Sequence, residues 1–469
     1  MSLISGIHAG LTIFLGREGD KMRSVSPIYA SRVRLMKKHL NGTSFSLVLA
    51  FAVLAGVSIC AGANLPPVSL GSPDCRTISS QPITAAPRQP TLKQGAYRHA
   101  GRTVYVGIEA EPPDHPTVQF YDEKTGRTGT LEHVSGPEYR TDDSPTITFT
   151  LNSPISAIEE EAFVIETASG RLGASLWCAA GARSDPTIIL IHGADDETRA
   201  MGFLIPYFVS HGLNVVTYDQ RGTGLSAGNW RFTGPESKAD DVIAMLKKIE
   251  SDPAVDPHRI GVWGFSNGGW VAPIVATRFP LAFMILKSAP SETVAENVLY
   301  EIGMALREHD RFTPEQVSAA LAFERIMFLA METNSKWCAA GQALAVARKQ
   351  PWFAYMRIPP GMTTPPPPPL LSELRAALIY DPAATLLRVR TPTLALFGTL
   401  DKNVDSAESA ARFRQAFHRS GLKDFTIVTF PGTGHTLERS RTGYEDHPSM
   451  PERMVDGYPD IMIRWVHAR

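Results

Sequence analysis

Six short, almost uninterrupted apolar runs punctuate the C-terminal two thirds of the chain: Ile188–Ile191, Val215–Tyr218, Ile260–Trp263, Phe283–Leu286, Leu394–Phe397 and Phe425–Phe430. A strand with one face in water alternates apolar and polar side chains, so a run that is apolar throughout predicts a strand covered on both faces. Helical spacing fills the gaps, most clearly where Pro235 is followed by Ala239, Val242, Ile243, Leu246 and Ile249. Doubly covered strands alternating with helices specify an α/β architecture, a mostly parallel central sheet with helices on both faces.

The residues before this region follow another pattern. Val104, Val106 and Ile108 share one face of an alternating segment, and Ile147, Phe149 and Leu151 share another behind the turn Asp142-Asp143-Ser144-Pro145. A small all-β domain is expected over residues 96–158, ahead of a main domain over 159–469. The main domain opens with a hairpin, Ala162–Ile165 and Leu172–Trp177, around Ser169-Gly170-Arg171. Residues 64–95, rich in Pro, Ser and Thr, read as a linker.

Residues 1–63 read as an N-terminal extension and a secretory signal peptide. Arg32, Arg34, Lys37 and Lys38 precede the apolar run Phe45–Cys60, and the small residues Ala61-Gly62-Ala63 follow, so cleavage is expected after Ala63 and the mature protein is expected to be exported, periplasmic or secreted. The run is shorter than the roughly 20 residues of a membrane-spanning helix, so no stable anchor is expected after cleavage. Basic residues belong near the start of such a peptide, which makes Met36-Lys37-Lys38 an alternative beginning. Bulky Ile59 argues against a lipoprotein signal at Cys60.

Composition narrows the function. With 46 Lys and Arg against 47 Asp and Glu, the net charge of −1 supplies no field for nucleic acid or an anionic membrane, and a small neutral substrate fits better. Of four cysteines, Cys75, Cys178 and Cys338 survive cleavage, an odd number that permits one bridge at most. No CxxC or HExxH occurs, so neither a metal nor another cofactor is called for.

About a hundred residues separate the strand ending near Ser288 from the one starting near Thr393, too many for a plain crossover, so a helical cap insertion is expected at about 291–385. Val317, Leu321, Phe323, Ile326 and Phe328 are spaced for one amphipathic face. Phe323, Met327, Phe328 and Met331 either line an acyl pocket or pack onto the main domain. Pro365–Pro369 is expected to run extended, as a strap across the cap or a docking segment.

The strongest chemical signal is Gly264-Phe265-Ser266-Asn267-Gly268-Gly269, set between the strand Ile260–Trp263 and a helix through Ala272, Ile274 and Val275. A sharp strand-to-helix turn of this kind projects its serine out of the sheet, and flanking glycines avoid β-carbon clashes. A serine needs a base and the base needs an orienting group. His435, in the glycine-rich loop Pro431–His435 after the last strand, is the candidate base, and Asp401, in Gly398–Asp405 after the preceding strand, the candidate acid. Asp405 is the alternative and more naturally caps the next helix. Two donors are needed for an oxyanion. The backbone N–H groups of Asn267 and Ala194 are the candidates, with Asp195 next after Ala194, while His192 is read as structural. Asp219–Ser226 reads as architectural, with Asp219 and Arg221 pairing to neighbouring loops, and Trp230, Trp263 and Trp270 as core or pocket wall.

Taken together, His192-Gly193, Asp219–Ser226, Gly264–Gly269, Gly398–Asp401 and Gly434-His435 resemble the α/β-hydrolase superfamily over roughly residues 160–469. Gly228-Asn229-Trp230, Gly268-Gly269-Trp270 and the export signal are similar to exported bacterial carboxylesterases with an N-terminal β domain. The resemblance implies a serine hydrolase acting on carboxylic esters through an acyl-enzyme. A peptidase, amidase or thioesterase uses the same triad, and a binding protein on the same fold would have lost it. One departure stands out. Such relatives often carry a Gly-rich stretch after His-Gly, where this chain has Ala194-Asp195-Asp196-Glu197, acids expected to repel a substrate carboxylate.

Overall fold

The computed structural model describes residues 92–469 apart from 111–115, 144, 182–184, 254, 357, 359–360 and 445–451. The expected signal peptide, its cleavage site, most of the linker and Cys75 lie outside the described residues. Among the described residues no helix is long and apolar enough to cross a membrane.

The apolar runs form an eight-stranded sheet. Its parallel part consists of β9 (Thr187–Ile191), β10 (Asn214–Tyr218), β11 (Ile260–Phe265), β12 (Phe283–Lys287), β13 (Thr393–Gly398) and β14 (Phe425–Phe430). The hairpin β7 (Ile158–Thr167) and β8 (Gly170–Ala179) is longer than its sequence signal and joins antiparallel beside β10. The order is therefore β14-β13-β12-β11-β9-β10-β8-β7, a mixed sheet. From β9 to β12 every strand is buried but for the last residue of β11, whereas β14, at the edge, keeps three partly exposed positions, Phe425, Ile427 and Val428, and two exposed ones, Thr426 and Thr429.

Helices cover both faces. On one, α2 (Pro235–Ile249), α3 (Gly268–Arg278) and α9 (Ser406–Ser420) bury Val242, Leu246, Val271, Val275, Phe413 and Phe417 against Ile189, Val262 and Ala395. On the other, α1 (Leu204–Ser210) and α10 (Asp460–His467) pack Ile205, Phe208, Met462 and Val466 against Ile188, Trp263 and Leu394. Each fully buried side chain of this size contributes about 1.5–3 kcal/mol, so the two layers hold the strand ends in fixed register.

The N-terminal sheet is a six-stranded meander, β1 (Gly95–His99), β2 (Arg102–Glu109), β3 (Thr117–Asp122), β4 (Thr128–Ser135), β5 (Glu138–Thr141) and β6 (Thr148–Thr150). One face buries Val104, Val106, Phe120 and Phe149 in a core of its own. The other presents Tyr105 and Tyr121 to α1, where Tyr105 meets Tyr207 edge-on at 5.0 Å and Tyr121 packs on Phe203 at 5.3 Å.

Between β12 and β13 lie α4 (Val294–Arg307), α5 (Pro314–Thr333), α6 (Trp337–Ala347), α7 (Pro368–Leu378) and the short α8 (Pro382–Leu386). Three sequence readings are corrected here. The buried stripe of α5 is Val317, Ala320, Phe323, Met327, Ala330 and Met331, while Ile326 is 41 % exposed. Phe323, Met327 and Met331 pack with Trp352 and Leu344 in a core of the insertion itself rather than on the main domain, and Phe328 lies at the edge of that core. Helical burial follows a 3.6-residue period, and the true stripe is held together by alanines rather than by the larger residues at Leu321, Ile326 and Phe328. The proline run does not stay extended either. Pro368 and Pro369 open α7, since a proline ring pre-sets φ for the first helical turn and its missing N–H is an orphan there anyway.

Candidate active site

The carboxyl ends of β9, β11, β13 and β14 converge on one rim. Between β11 and α3 the chain turns so sharply that Ser266 adopts φ 50°, a left-handed conformation that non-glycine residues rarely enter. Its N–H donates to the Lys287 carbonyl at 3.0 Å, and its own carbonyl accepts from Gly269 at 2.7 Å. The turn fits only with glycine around it. A β-carbon at Gly268 would fall 2.6 Å from the Ile191 carbonyl oxygen, and one at Gly264 would fall 2.5 Å from the Gly268 carbonyl oxygen.

His435 and Asp401 meet because their loops follow adjacent strands. The two loops are laced by bonds from Leu400 N–H to Thr433 O at 2.9 Å and from the Gly432 N–H to the Thr399 hydroxyl at 3.0 Å. Asp401 Oδ2 faces His435 Nδ1 at 2.8 Å with both side chains buried, and Asp401 Oδ1 accepts from the N–H groups of Asn403 and Val404. An ionised carboxylate only accepts, so Nδ1 carries the proton and Nε2 of a neutral imidazole is the basic nitrogen. Asp405 instead accepts from the Glu408 N–H and caps α9. The His435 loop reaches the elbow through the Phe265 ring, 5.0 Å from the imidazole, and through Ser288, whose hydroxyl donates to the His435 carbonyl at 2.6 Å.

The loop after β9 passes beside the elbow. A β-carbon at Gly193 would lie 3.6 Å from Cβ of Ser266, which brings the exposed Ala194 alongside, and Asn267 occupies the position before the first turn of α3. His192 knits this loop to β10. Its Nε2 lies 2.5 Å from the Tyr218 carbonyl, which can only accept, so the proton there belongs to the ring, and Nδ1 lies 2.7 Å from Glu197 Oε2. The acids after Ala194 are engaged. Asp196 takes the Trp230 indole N–H at 2.8 Å and both terminal nitrogens of Arg231, Glu197 faces His192, and the Asp195 carboxylate accepts from the Asp196 N–H. Their charge is thus tied into the loop rather than presented to a substrate. Arg221, 4 % exposed, donates from Nε to Asp241 at 2.6 Å, while Asp219 takes Arg199 and the Leu225 N–H.

Sequence reasoning did not single out several residues at this rim. Lys287 ends an otherwise apolar strand, and its ammonium lies 4.4 Å over the Phe265 ring; a lysine terminating such a run was the available signal. Tyr300 of α4 donates to the Asp401 carbonyl at 3.0 Å, and Tyr444 to the Met304 carbonyl at 2.9 Å, so the insertion is fastened to the Asp401 and His435 loops. Burial first, and then the carboxylates of Asp405 and Asp401, raise the Tyr300 phenol, which keeps its proton for that bond. Glu292 is buried, accepting from Ser409 at 2.7 Å while its carbonyl takes the Trp270 indole N–H. Neither tyrosine nor Glu292 carries any local sequence signature.

A strained serine at a strand end, beside a buried carboxylate–imidazole pair, is an arrangement suited to nucleophilic attack on a carbonyl. Comparison with known proteins agrees with that chemistry. Residues 182–322 match the family described as serine aminopeptidase, S33, a stretch that holds His192, Ala194 and the elbow and ends before Asp401 and His435. A thiohydrolase of Aspergillus aculeatus is 29% identical over 97 residues, 20% of this chain and 30% of its own length. A probable dipeptidyl-aminopeptidase B of Metarhizium robertsii is 42% identical over 65 residues, 13% of this chain and 7% of its own. An uncharacterized 31.7 kDa protein of Escherichia coli is 34% identical over 88 residues, 18% of this chain and 30% of its own, so the chain spans under a third of each of these relatives. Among solved structures, an esterase of Pyrococcus furiosus aligns with TM-score 0.39 at 17% identity, over 58% of this chain and 83% of that one. Dipeptidyl peptidase 4 of Porphyromonas gingivalis aligns with TM-score 0.42 at 15% identity, over 81% of this chain and 50% of that one. By its matched segment, its strand–turn–helix elbow and the order of its parallel strands, the chain belongs to the α/β-hydrolase superfamily.

Proposed function

We propose that this hydrolase is a serine esterase that cleaves small carboxylic esters through an acyl-enzyme. The observation that carries the reading is the 2.8 Å contact between buried His435 Nδ1 and Asp401 Oδ2 on the rim where Ser266 is strained outward. In the proposed cycle Ser266 Oγ attacks the ester carbonyl while His435 Nε2 takes its proton. The N–H groups of Asn267 and Ala194 receive the oxyanion. His435 then passes the proton to the departing alkoxide, and the released alcohol leaves an acyl-serine. Water, deprotonated by the same nitrogen, attacks that carbonyl and returns Ser266 with the free acid. Asp401 holds the imidazole in the required tautomer throughout. The chemistry is complete with these residues, so no cofactor is invoked, and the protein is proposed to act outside the cytoplasm after cleavage beyond Ala63. The helical insertion, fastened to the Asp401 loop by Tyr300, is proposed as the cap over the site.

Thioester and aminoacyl substrates are the competing reading, since the family match and two of the relatives carry such names. A panel of short and long acyl esters, an acyl thioester and an aminoacyl amide, compared by kcat/KM on the mature protein, decides among them. Esters are expected to lead. Turnover of the thioester or the amide ahead of every ester would replace the ester assignment, and Ser266→Ala is expected to lose activity by a factor of the order of 10⁶ with the fold intact.

A further inference from the structure

Besides packing on α1, the described N-terminal sheet touches two loops of the proposed active site. At the first, the end of β2 pairs with the segment that follows Ala194–Glu197. Glu109 bridges to Met201, the Ala110 N–H donates to the Ala200 carbonyl at 3.3 Å, and the Gly202 N–H to the Ile108 carbonyl at 3.0 Å. The backbones are so close that a β-carbon at Gly107 would fall 1.9 Å from the Gly202 carbonyl oxygen. At the second, the start of β4 and the turn before it reach the His435 loop. The Thr128 N–H donates to the Glu452 carbonyl at 3.0 Å and the Met454 N–H to the Gly126 carbonyl at 2.8 Å. The buried Thr128 hydroxyl donates to Glu438 Oε1 at 2.8 Å, across 310 residues of chain.

Glu438 is the residue that closes the histidine loop. Its carbonyl accepts from the Gly434 N–H at 3.1 Å, and its other carboxylate oxygen accepts from the Thr436 hydroxyl at 3.2 Å. His435 thus sits in a loop that one of its own glutamates ties to the sheet outside the α/β domain. A charge-assisted hydrogen bond from a buried hydroxyl is short and directional, which suits holding an imidazole in register with a serine carried by a different strand.

We propose that the N-terminal sheet is a brace for catalysis, with Thr128 and Glu438 as positioning residues for His435 and the β2 end fixing the loop that carries Ala194. The proposal rests on reading Ser266, His435 and Asp401 as the triad. Misplacing a catalytic base by a fraction of an ångström costs rate more than binding, so losing the Thr128 bond lowers kcat while KM moves little.

The test uses the mature full-length protein with a short ester, comparing Thr128→Val with Thr128→Ser. Thr128→Val is expected to lose about tenfold in kcat with KM changed by less than about twofold, and Thr128→Ser to recover to within about twofold of the parent. A kcat equal to the parent's well below the Tm, with or without a lower Tm, overturns the proposal, as does a loss that Thr128→Ser does not restore. If Thr128→Val fails to fold, Glu438→Ala releases the same bond from the loop side, and an unchanged kcat there overturns the proposal equally. Ser266→Ala made alongside separates the two readings: activity surviving in that variant removes the triad, whereas an inert Ser266→Ala beside a fully active Thr128→Val removes only the brace.

Discussion

Asp401 and His435 share a 2.8 Å contact in which both oxygens of the carboxylate are engaged: one with the imidazole, the other with the N–H groups of Asn403 and Val404. Replacing Asp401 by Asn removes one acceptor. If the amide oxygen keeps the backbone bonds, the NH₂ group faces Nδ1 and drives the imidazole into the wrong tautomer. If it turns the other way, two backbone donors are left without an acceptor. Asp401→Asn is therefore expected to lower kcat by about 10⁴. Asp405 caps α9, a role asparagine fills almost equally well, so Asp405→Asn should stay within about twofold of the parent. Steady-state kinetics of the two variants side by side check the claim, and equal losses would remove Asp401 from the orienting role.

The pair Arg221–Asp241 invites a stability prediction. Both residues are buried, and the guanidinium also donates to the Ser169 carbonyl at 2.7 Å, tying the loop after β10 to α2 and to the β7–β8 turn. Arg221→Met leaves Asp241 as a buried charge without its counter-ion, which is expected to cost about 3–5 kcal/mol. Adding Asp241→Leu should recover most of that loss, because the penalty lies in the orphaned carboxylate more than in the missing bond. Urea unfolding of the single and double variants reads the difference, and a double variant less stable than the single one would refute this account.

What the sequence made legible follows the range of the interactions. Strands covered on both faces declare themselves in consecutive residues, so the six apolar runs coincide with β9–β14, and the elbow is local enough to be read from Gly264–Gly269 alone. Asp401 and His435 were nameable because each follows a strand whose neighbour is set by the fold's order. The partner of Glu438 was not, since Thr128 lies in another sheet and nothing about a Thr in an alternating strand announces a bond across 310 residues. The insertion failed for a different reason. Its α5 stripe is stitched together by Ala320 and Ala330, and judging faces by bulky residues assigned Ile326 to a core it does not enter.

That internal core leads to a prediction about the insertion. Met327 is fully buried among Phe323, Trp352 and Leu344, so Met327→Ala removes packing within the insertion without reshaping any surface that an acyl chain meets. A loss of about 2–5 kcal/mol is expected, appearing as a lower Tm while the ranking of short against long acyl esters is kept. An altered acyl preference at unchanged Tm would return Met327 to the substrate pocket.

Glu109 ties stability to pH. Burial first, and then the carboxylates of Glu197, Glu438 and Asp195, push its carboxyl up to about 7, while the Gln119 amide donates to it. A carboxyl whose folded pKa lies above its unfolded value of about 4.3 binds its proton more tightly in the native state. The contribution of Glu109 to stability therefore falls as pH rises from about 4.3 to about 7 and is level on either side, with an ionised Glu109 costing at most about 4 kcal/mol. Glu109→Gln keeps an oxygen for the Gln119 donor and cannot ionise. It should match the parent near pH 4 and exceed it at pH 8, by an amount that grows through the same window. Urea midpoints of both proteins at the two pH values measure this. A variant no more stable than the parent at pH 8 would mean that Glu109 ionises at little cost despite the three carboxylates around it, and would refute this account.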